Sequence, residues 1–437
     1  MALPFILYLS LSLLYLLAVP TGEAPDEPGH LQCIEQVSIE KHLPIVNPPP
    51  QGEWWSRGVV LSGRMCYHLP LYYVVSGYSQ RAVQGITGSS PHFEFPPENP
   101  QWGDSPAVFA HDPTEPFWRI GEPAAVWVLR VEAILLGLVT VWAARQTAVR
   151  LFPGDPTSAG LAALLAAGWP QFLFMSRAIS NDTLATAWAV VALVLLLDVG
   201  RPRRFFWAAL VSCLAVLTKF TMLFTLGIVV VTWLLEWLGE SSRRAVYVRQ
   251  GLLAGLPILA LTLLLALQPT LRLHVEQTLQ SFAAVNPAVL TIPYWLAVWQ
   301  LSLSSGYARF GWMNVPAPTW QAYAWWVLIL LAGGLGLWRA LRLEQRNRRQ
   351  GLILAVAGVW AAGVFFSYLR INSNRFQPQF RFAFALLPLL AALAAAGLSR
   401  LVGRFPRWRQ AAAPLLAAGL WLTNVWLLLN VLEPAYS

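Results

Sequence analysis

Charged residues are scarce in this sequence. Asp, Glu, Lys and Arg make up 12% of its 437 residues, whereas hydrophobic residues make up 57%. Soluble domains carry about 25% charged residues, so the composition excludes an ordinary soluble domain and predicts a protein that crosses the membrane several times. A basic face on a soluble domain, which nucleic-acid binding would require, is also missing, and we expect no nucleic-acid partner.

Cysteine is nearly absent, with three residues in the whole chain. Cys33 and Cys66 lie in one polar segment and Cys213 in an apolar one, without a C-x-x-C or zinc-binding spacing. We expect Cys33 and Cys66 to be free thiols. A disulfide between them is the alternative if their segment lies outside the cell.

Acidic residues are sparse outside one segment. Residues 21–123 hold twelve Asp/Glu against five Lys/Arg, a formal charge of −7, which leaves +16 for the remainder of a chain whose net charge is +9. The remaining basic residues cluster in short stretches between apolar segments, where they set membrane topology.

Eleven apolar segments are long enough to be considered as membrane spans. They comprise residues 3–20, 124–148, 157–175, 182–199, 205–218, 220–238, 251–270, 319–338, 351–369, 382–399 and 411–432. The first has neither a basic start nor a small-residue cleavage motif, so we interpret it as an uncleaved helix. Residues 1–437 are therefore expected to form a single all-α polytopic domain, with heavy Trp content at its interfaces.

Arginine clusters follow the second, fourth, sixth, eighth and tenth of these segments. The positive-inside rule places all five clusters in the cytoplasm. The acidic segment 21–123, the loops 271–318 and 370–381, and the C-terminus are then outside. No repeat relates the two halves, which counts against an inverted-repeat transporter.

The segment 21–123 is expected to be a long first extracytoplasmic loop. Within it, Trp54–Arg64 and Tyr67–Arg81 are interpreted as short helices on the membrane surface. Gly85–Pro123 is dense in Pro and Gly and is expected to be extended coil. Loops of this length are usually functional.

An acidic turn, Pro25–His30, follows the first apolar segment. Asp26 could cap a short helix by accepting backbone N–H groups, Pro28 suits a first helical turn, and His30 would share a face with Asp26. Helix capping is the alternative to a catalytic role for Asp26.

Polar side chains at the expected outer helix ends collect on the same membrane face as this turn. They are Asp26, Glu27, His30, Arg177, Asn181, Asp182, Lys219, Arg309, Asn314, Arg370, Arg375 and Arg381. Acids and bases at the headgroup level suit a lipid phosphate, which Arg or Lys would bind while a carboxylate serves as base.

Several of these residues have a simpler interpretation. Asn181 and Asp182 could cap the fourth span, Lys219 could extend to the interface from a helix end, and Arg381 could anchor to headgroups. The stretch that begins at His68 could be ordinary interfacial packing. Inside the second span, Arg130 and Glu132 are two residues apart and cannot pair well with each other, so we expect both to contact neighbouring helices as structural residues.

Five short motifs resemble those of the GT-C membrane glycosyltransferases, in the branch of the protein mannosyltransferases and aminoarabinose transferases that use dolichyl- or polyprenyl-phosphate sugars. They are residues 25–30 (Pro-Asp-Glu-Pro-Gly-His), 68–73 (His-Leu-Pro-Leu-Tyr-Tyr), 179–182 (Ile-Ser-Asn-Asp), 217–219 (Leu-Thr-Lys) and 379–382 (Gln-Phe-Arg-Phe). Leu69, Phe380 and Phe382 depart from the family pattern, in which Pro, Gly and Tyr are usual at these positions.

The resemblance implies an inverting hexosyl or pentosyl transferase in the plasma membrane, with an extracytoplasmic active site. It implies a polyprenyl-phosphate-linked sugar donor, a lipid, glycan or protein acceptor, and surrounding membrane lipids. Asp26 would be the general base, with Glu27 as a second catalytic residue. Lys219 and Arg381 would hold the phosphate. The supporting residues would be His30, His68, Tyr72, Asn181 and Asp182.

No cofactor is required by the sequence, although a divalent metal could bind Asp26 and His30. Two other functions stay open. A transporter or flippase of lipid-linked sugars would place its charges at the bilayer midplane on broken helices. A non-catalytic assembly protein would keep the fold but tolerate replacement of Asp26.

The charge pattern makes a topology prediction. The loop 239–249 should lie in the cytoplasm and the C-terminus outside, because an odd number of spans follows that loop under the positive-inside rule. Single cysteines introduced at both places in a cysteine-free background, labelled from outside with an impermeant maleimide, should react only at the C-terminus. Labelling of both sites from one side would refute this topology.

Overall fold

The computed structural model describes residues 2–45, 64–102, 105–111, 117–118, 121–201, 203–283, 286–342 and 347–436, and these residues are predominantly helical. The α-helices of the first half are α1 (Leu3–Ala18), α2 (Glu27–Glu35), α3 (Leu71–Thr87), α4 (Ala124–Leu151), α5 (Pro156–Ala167), α6 (Pro170–Ser176), α7 (Asn181–Leu197) and α8 (Arg204–Thr218). Those of the second half are α9 (Leu223–Gly239), α10 (Arg244–Leu267), α11 (Pro269–Ala283), α12 (Ile292–Tyr307), α13 (Thr319–Leu341), α14 (Arg348–Asn374), α15 (Leu387–Gly403), α16 (Pro406–Leu427) and α17 (Glu433–Tyr436).

Shorter elements join these helices. The 3₁₀ segments are Arg64–Tyr67, Phe220–Met222, Ser241–Arg243, Pro287–Leu290 and Phe380–Leu386, and π-helical turns occur at Gln36–Glu40 and Leu428–Leu432. Two strands, β1 (Arg309–Phe310) and β2 (Val315–Pro316), form an antiparallel hairpin in which Arg309 faces Pro316.

The predicted apolar segments are all helical, and the chain is an integral membrane protein. Seven helices of the described chain are long and apolar enough to cross a membrane, and α5 with α6 forms an eighth span if the 60° bend between them lies within one span. Three shorter apolar helices, α1, α7 and α8, account for the remaining segments. The exact number of eleven spans therefore stays a prediction.

The segment 271–318, expected as an outer loop, contains most of α11, all of α12 and the hairpin, and its position outside the membrane stays a prediction. α12 begins with a proline in its first turn, a position that suits proline. In the first loop, α3 occupies most of the stretch predicted from Tyr67 to Arg81 and continues to Thr87, where Gly88 adopts φ 70°. The helix proposed for Trp54–Arg64 lies outside the described residues except at its last position. The described part of 85–123 is non-helical beyond Thr87, as predicted.

Glycine permits a close contact between the backbones of two helices. A Cβ at Gly336 of α13 would lie 1.9 Å from the Leu393 carbonyl oxygen, and one at Gly397 of α15 would lie 2.0 Å from the Ala332 carbonyl oxygen. The backbones of α13 and α15 therefore approach each other at two points where only glycine fits. This contact fixes α15, whose N-terminal extension carries Arg381, against the bundle.

The free-thiol expectation was wrong. Cys33 and Cys66 form a disulfide across 33 residues, and both cysteines are buried in an apolar cluster with Tyr67, Tyr72 and Tyr73. In the chain-entropy model, closing a loop of this length stabilises the fold by about 3–4 kcal/mol. The pairing could not be derived from two cysteines in one loop, since the sequence does not indicate their spatial separation.

Glu27 attaches the first loop to the helical bundle. Its fully buried carboxylate accepts hydrogen bonds from the backbone N–H groups of Gly22 and Ile179, both at 3.0 Å. Arg130 of α4 lies 3.4 Å away and Arg177, before α7, lies 3.7 Å away. Although burial alone would raise the pKa of Glu27, the two arginines and the backbone donors outweigh it and lower the pKa below its ordinary value.

Other contacts hold the rest of the loop. Glu23 accepts hydrogen bonds from the Val108 and Phe109 N–H groups, and the Trp312 indole of the hairpin donates to the Gly22 carbonyl at 3.0 Å. Glu132 of α4 accepts from Ser76 of α3 at 3.0 Å. The prediction that Arg130 and Glu132 contact neighbouring elements is confirmed.

We predict that Glu27→Gln destabilises the protein by about 3–5 kcal/mol, because it removes the counter-charge of buried Arg177 and leaves buried Arg130 with only its longer ion pair to Glu122. Since the pKa of Glu27 is lowered in the fold, this stabilisation is present above the ordinary pKa of a carboxyl group and is lost as the pH falls through the lowered value. Thermal unfolding in detergent at neutral pH checks this, with exposed Glu94→Gln as the matched control. Equal melting temperatures for the two variants would contradict the prediction.

Candidate active site

Asp26 lies between α1 and α2 in a left-handed backbone conformation, with φ 67° and ψ −2°. It occupies the position before α2, but its carboxylate makes no capping hydrogen bond to that helix. Instead it accepts a hydrogen bond from Arg381 Nη2 at 2.5 Å. The alternative interpretation that the Asp26 side chain caps the helix is therefore wrong, because its carboxylate binds Arg381 from a distant part of the chain.

Arg381 lies in the 3₁₀ segment that precedes α15, and it is buried rather than exposed to headgroups. Its guanidinium also donates to the Pro25 carbonyl at 3.2 Å and lies 3.5 Å from Asp182 Oδ2. Two carboxylates that are distant in sequence thus share one guanidinium. An anchor to lipid headgroups would be exposed, so that alternative is excluded.

Asp182 forms the second ion pair of this site. Its Oδ1 accepts a hydrogen bond from Lys219 Nζ, while the hydroxyl of Ser180, two residues earlier, caps α7 by accepting from the Asp182 N–H group. Lys219 lies in extended backbone between α8 and the following 3₁₀ segment, with its ammonium 5.0 Å from the centre of the Phe382 ring. Asp182 therefore does not cap α7, and Lys219 is paired with Asp182 rather than extended to the membrane interface. Both simpler interpretations are excluded.

An aromatic and imidazole cluster borders the ion pairs on the first-loop side. His30 Nδ1 is 3.0 Å from the Tyr73 hydroxyl, the His68 ring stacks on His30 at 6.0 Å, and Tyr72 meets His30 edge-on at 6.2 Å. Burial lowers the pKa of His30 to about 4 and that of His68 well below its ordinary value. Both imidazoles are therefore neutral at physiological pH.

A cavity of about 60 Å³ opens at the centre of these groups. It is lined by Asp26, Tyr67, His68, Lys219, Thr221, Ile371, Arg375, Gln377, Arg381 and Phe382. The sequence analysis placed Arg375 on this membrane face but gave no role to Tyr67, Thr221 or Gln377. A signal existed for Gln377, since it lies four residues before Arg381 in the short polar stretch before the same helix.

Other candidates lie away from the cavity. Glu27 is engaged in the attachment described above and does not line it, so its expected catalytic role is not supported by its position. Asn181 is buried behind Asp182, and its amide has no hydrogen-bond partner among the described residues. Arg309 donates to the Met313 carbonyl within the hairpin, and Arg177 stacks on Phe174.

The side chains do not suit the divalent metal that the sequence left open. Within the described ranges, no group of three or more His, Cys, Asp and Glu side chains could hold a metal ion. Of the two suggested ligands, Asp26 is paired with Arg381 and His30 Nδ1 is bonded to Tyr73. Arg381 and Lys219 already neutralise Asp26 and Asp182, so these two acids have no uncompensated charge for a metal ion to balance.

An apolar groove of about 670 Å³ begins beside the charged cavity. It runs between α9 and α14 and shares Thr221 and Ile371 with the cavity. Its lining is almost entirely apolar, with Phe224, Gly227 and Gly363 along its length and Arg370 near Ile371. The charged cavity and the groove therefore meet at two residues.

Solved structures with a similar fold are glycosyltransferases of the GT-C type. The Archaeoglobus fulgidus oligosaccharyltransferase in complex with Zn and sulfate matches 99% of this chain and 53% of its own chain, with 14% identity and a TM-score of 0.57. ArnT from Cupriavidus metallidurans bound to undecaprenyl phosphate matches 99% of this chain and 73% of its own, with 15% identity and a TM-score of 0.51. The chain spans about half the length of the oligosaccharyltransferase, and the likeness establishes a GT-C-like fold, as the motifs predicted.

A comparison with functionally curated proteins finds no significant match. A family model does match residues 125–390, a range that includes Asp182, Lys219 and Arg381 and leaves out Asp26. Because this range is more than half of the sequence, the chain belongs to the DUF2142 family, whose description is predicted membrane protein.

Proposed function

We propose that this protein transfers a sugar from a polyprenyl-phosphate-linked donor to an acceptor hydroxyl, with inversion, on the extracytoplasmic side of the plasma membrane. The observation that carries the proposal is the junction between the apolar groove and the charged cavity at Thr221 and Ile371. A substrate that fits both must have a long apolar tail and an anionic head.

The groove suits the tail. Its lining is apolar, and it lies between two helices that are long and hydrophobic enough to span the membrane. A prenyl chain is a branched hydrocarbon that can pack against such a lining through many small dispersion contacts, which replace those it makes with neighbouring lipid tails. The undecaprenyl phosphate in the similar ArnT structure is consistent with a ligand of this class.

The cavity suits the head. Lys219, Arg375 and Arg381 bring three cations to its wall, and charge-assisted hydrogen bonds from such groups bind phosphate oxygens strongly. In the ligand-free arrangement Lys219 is paired with Asp182, and Arg381 with Asp26 and Asp182. A donor phosphate would compete with the carboxylates for these donors, and Arg375 adds a further cation beside them.

Asp26 is the acid best placed for the chemistry. As the acceptor oxygen bonds to the anomeric carbon, its proton passes to Asp26, and the bond from that carbon to the phosphate oxygen breaks on the opposite face. The phosphate leaves with the bonding electron pair, and the cations stabilise its charge. Arg381 holds Oδ2 of Asp26, and donor binding would favour release of this oxygen, so that the whole carboxylate can face the acceptor.

Incubation of purified protein with labelled polyprenyl-phosphate sugars, followed by extraction of labelled product, tests the function directly. A transporter or assembly protein would move or retain the donor without cleaving its sugar–phosphate bond. Failure of every donor to give a product under conditions that preserve the fold would reject the proposal.

Asp26→Asn should lower the single-turnover transfer rate by about 10²–10⁴-fold, the usual contribution of a general base. Asp198→Asn is a matched control, because Asp198 also pairs with arginines, Arg150 and Arg201, but lies far from the cavity at the other end of α7. Both variants should melt close to the parent, because in Asp26→Asn the amide oxygen can still accept from Arg381, which also keeps Asp182 and the Pro25 carbonyl as partners. Near-parental transfer by Asp26→Asn would move the base elsewhere, with Asp182 as the next candidate.

Gly227→Leu should obstruct the groove without disturbing the bundle, since a Cβ at Gly227 meets no atom within 4 Å. Loss of tail contacts in the narrowed groove should raise the KM for the donor, about tenfold for a loss of about 1.4 kcal/mol, while a donor with a shortened tail should be less affected. Gly255→Leu on α10 is the control, because its Cβ also enters open space and Gly255 does not line the groove. Equal KM values for the two variants would argue against a lipid-binding groove.

A further inference from the structure

Three oxygen atoms surround the Arg381 guanidinium from two parts of the chain. Nη2 is 2.5 Å from Asp26 Oδ2, and Nη1 is 3.2 Å from the Pro25 carbonyl oxygen and 3.5 Å from Asp182 Oδ2. Two carboxylates and a backbone carbonyl are the hard oxygen ligands that Mg²⁺ and Mn²⁺ take, with water completing the coordination. The guanidinium thus lies where such an ion would otherwise bridge the first loop and α7.

The charges of this cluster are already balanced. Asp26 and Asp182 carry two negative charges, and Arg381 and Lys219 carry two positive ones, all on side chains that are largely buried. A divalent ion placed between the carboxylates would bring excess positive charge beside a buried guanidinium and ammonium. Because repulsion between buried like charges is poorly screened, the ion and Arg381 exclude each other.

We propose that the Arg381 guanidinium takes the place of a divalent cation between Asp26 and Asp182, so that this chain bridges its two acids without a metal. Arg381 performs the bridging through a hydrogen bond to Asp26 and an ion pair with Asp182, and it also provides a donor that a phosphate can engage. Arg381 is then the residue that prevents metal binding at this position. Its catalytic consequence, transfer that needs no divalent cation, rests on the proposed function.

Removal of the guanidinium should convert the cluster into a metal site. We expect purified Arg381→Met to bind one Mn²⁺ per chain, detected as loss of the free Mn²⁺ electron paramagnetic resonance signal, while the parent binds none at this position. Binding should be lost again when Arg381→Met is combined with Asp26→Asn or with Asp182→Asn, because each change removes a ligand.

Lys219→Met is the matched control. It removes one positive charge from the same cluster but keeps the guanidinium between the carboxylates, so it should not bind Mn²⁺. If Lys219→Met binds Mn²⁺ as well as Arg381→Met does, the loss of any one positive charge explains the binding, and the proposal is overturned. Arg381→Gln is the second variant if Arg381→Met does not give folded protein, as judged by melting and size-exclusion behaviour.

The parent protein supplies a further test. Mn²⁺ binding by the parent that disappears in Asp26→Asn would overturn the proposal, as would folded Arg381→Met and Arg381→Gln proteins that bind no Mn²⁺. Where transfer is measured, parental activity should be unchanged by EDTA, and its loss would overturn the catalytic consequence. Absence of any transfer would count against the proposed function alone, since Mn²⁺ binding is measured independently of activity.

Discussion

The buried ion pair between Asp26 and Arg381 is the constraint on which the site depends. A charge moved out of water beside a membrane domain is costly unless it is paired and hydrogen-bonded. Arg381 is 355 residues away from Asp26 in the chain, yet each satisfies the other. The pair therefore requires that the first loop, the start of α7 and the segment before α15 assemble in one arrangement. The Glu27 attachment and the α13–α15 glycine contact position the backbones that make this pairing possible.

The same constraint relates the two cavities. The groove between α9 and α14 ends at Thr221 and Ile371, where apolar lining gives way to charged side chains. A ligand with only a hydrocarbon tail would leave the ion pairs intact, and a free phosphate would gain nothing from the groove. A lipid phosphate gains from both, because tail burial offsets part of the cost of separating Arg381 from its carboxylates. This division of binding energy favours a lipid-linked donor over a soluble sugar phosphate.

Much of the fold could be predicted from sequence, because hydrophobic segment length is a local property and local helices satisfy the backbone within a membrane. Asp26, Lys219 and Arg381 could be placed on one face for the same reason, since each lies at a helix end. Which of these residues pair with each other could not be predicted, because tertiary contacts decide which buried charges meet. Glu27 illustrates the limit: beside Asp26 in sequence it predicts a second catalytic acid, whereas the fold directs its carboxylate to Arg130 and Ile179. The α11–α12 region was missed because polar residues interrupt its apolar pattern.

On the proposed function, the pairing of Asp26 with Arg381 bears on the order of substrate binding. Arg381 donates to Asp26 Oδ2, so one of the two carboxylate oxygens is held while the pair is intact. A donor phosphate that engaged the guanidinium would release this oxygen and bring the anomeric carbon into the cavity in the same step. The whole carboxylate would then face the acceptor when there is a sugar to transfer. Deprotonation would therefore be favoured after donor binding, and one guanidinium would both hold the fold and couple the two substrates.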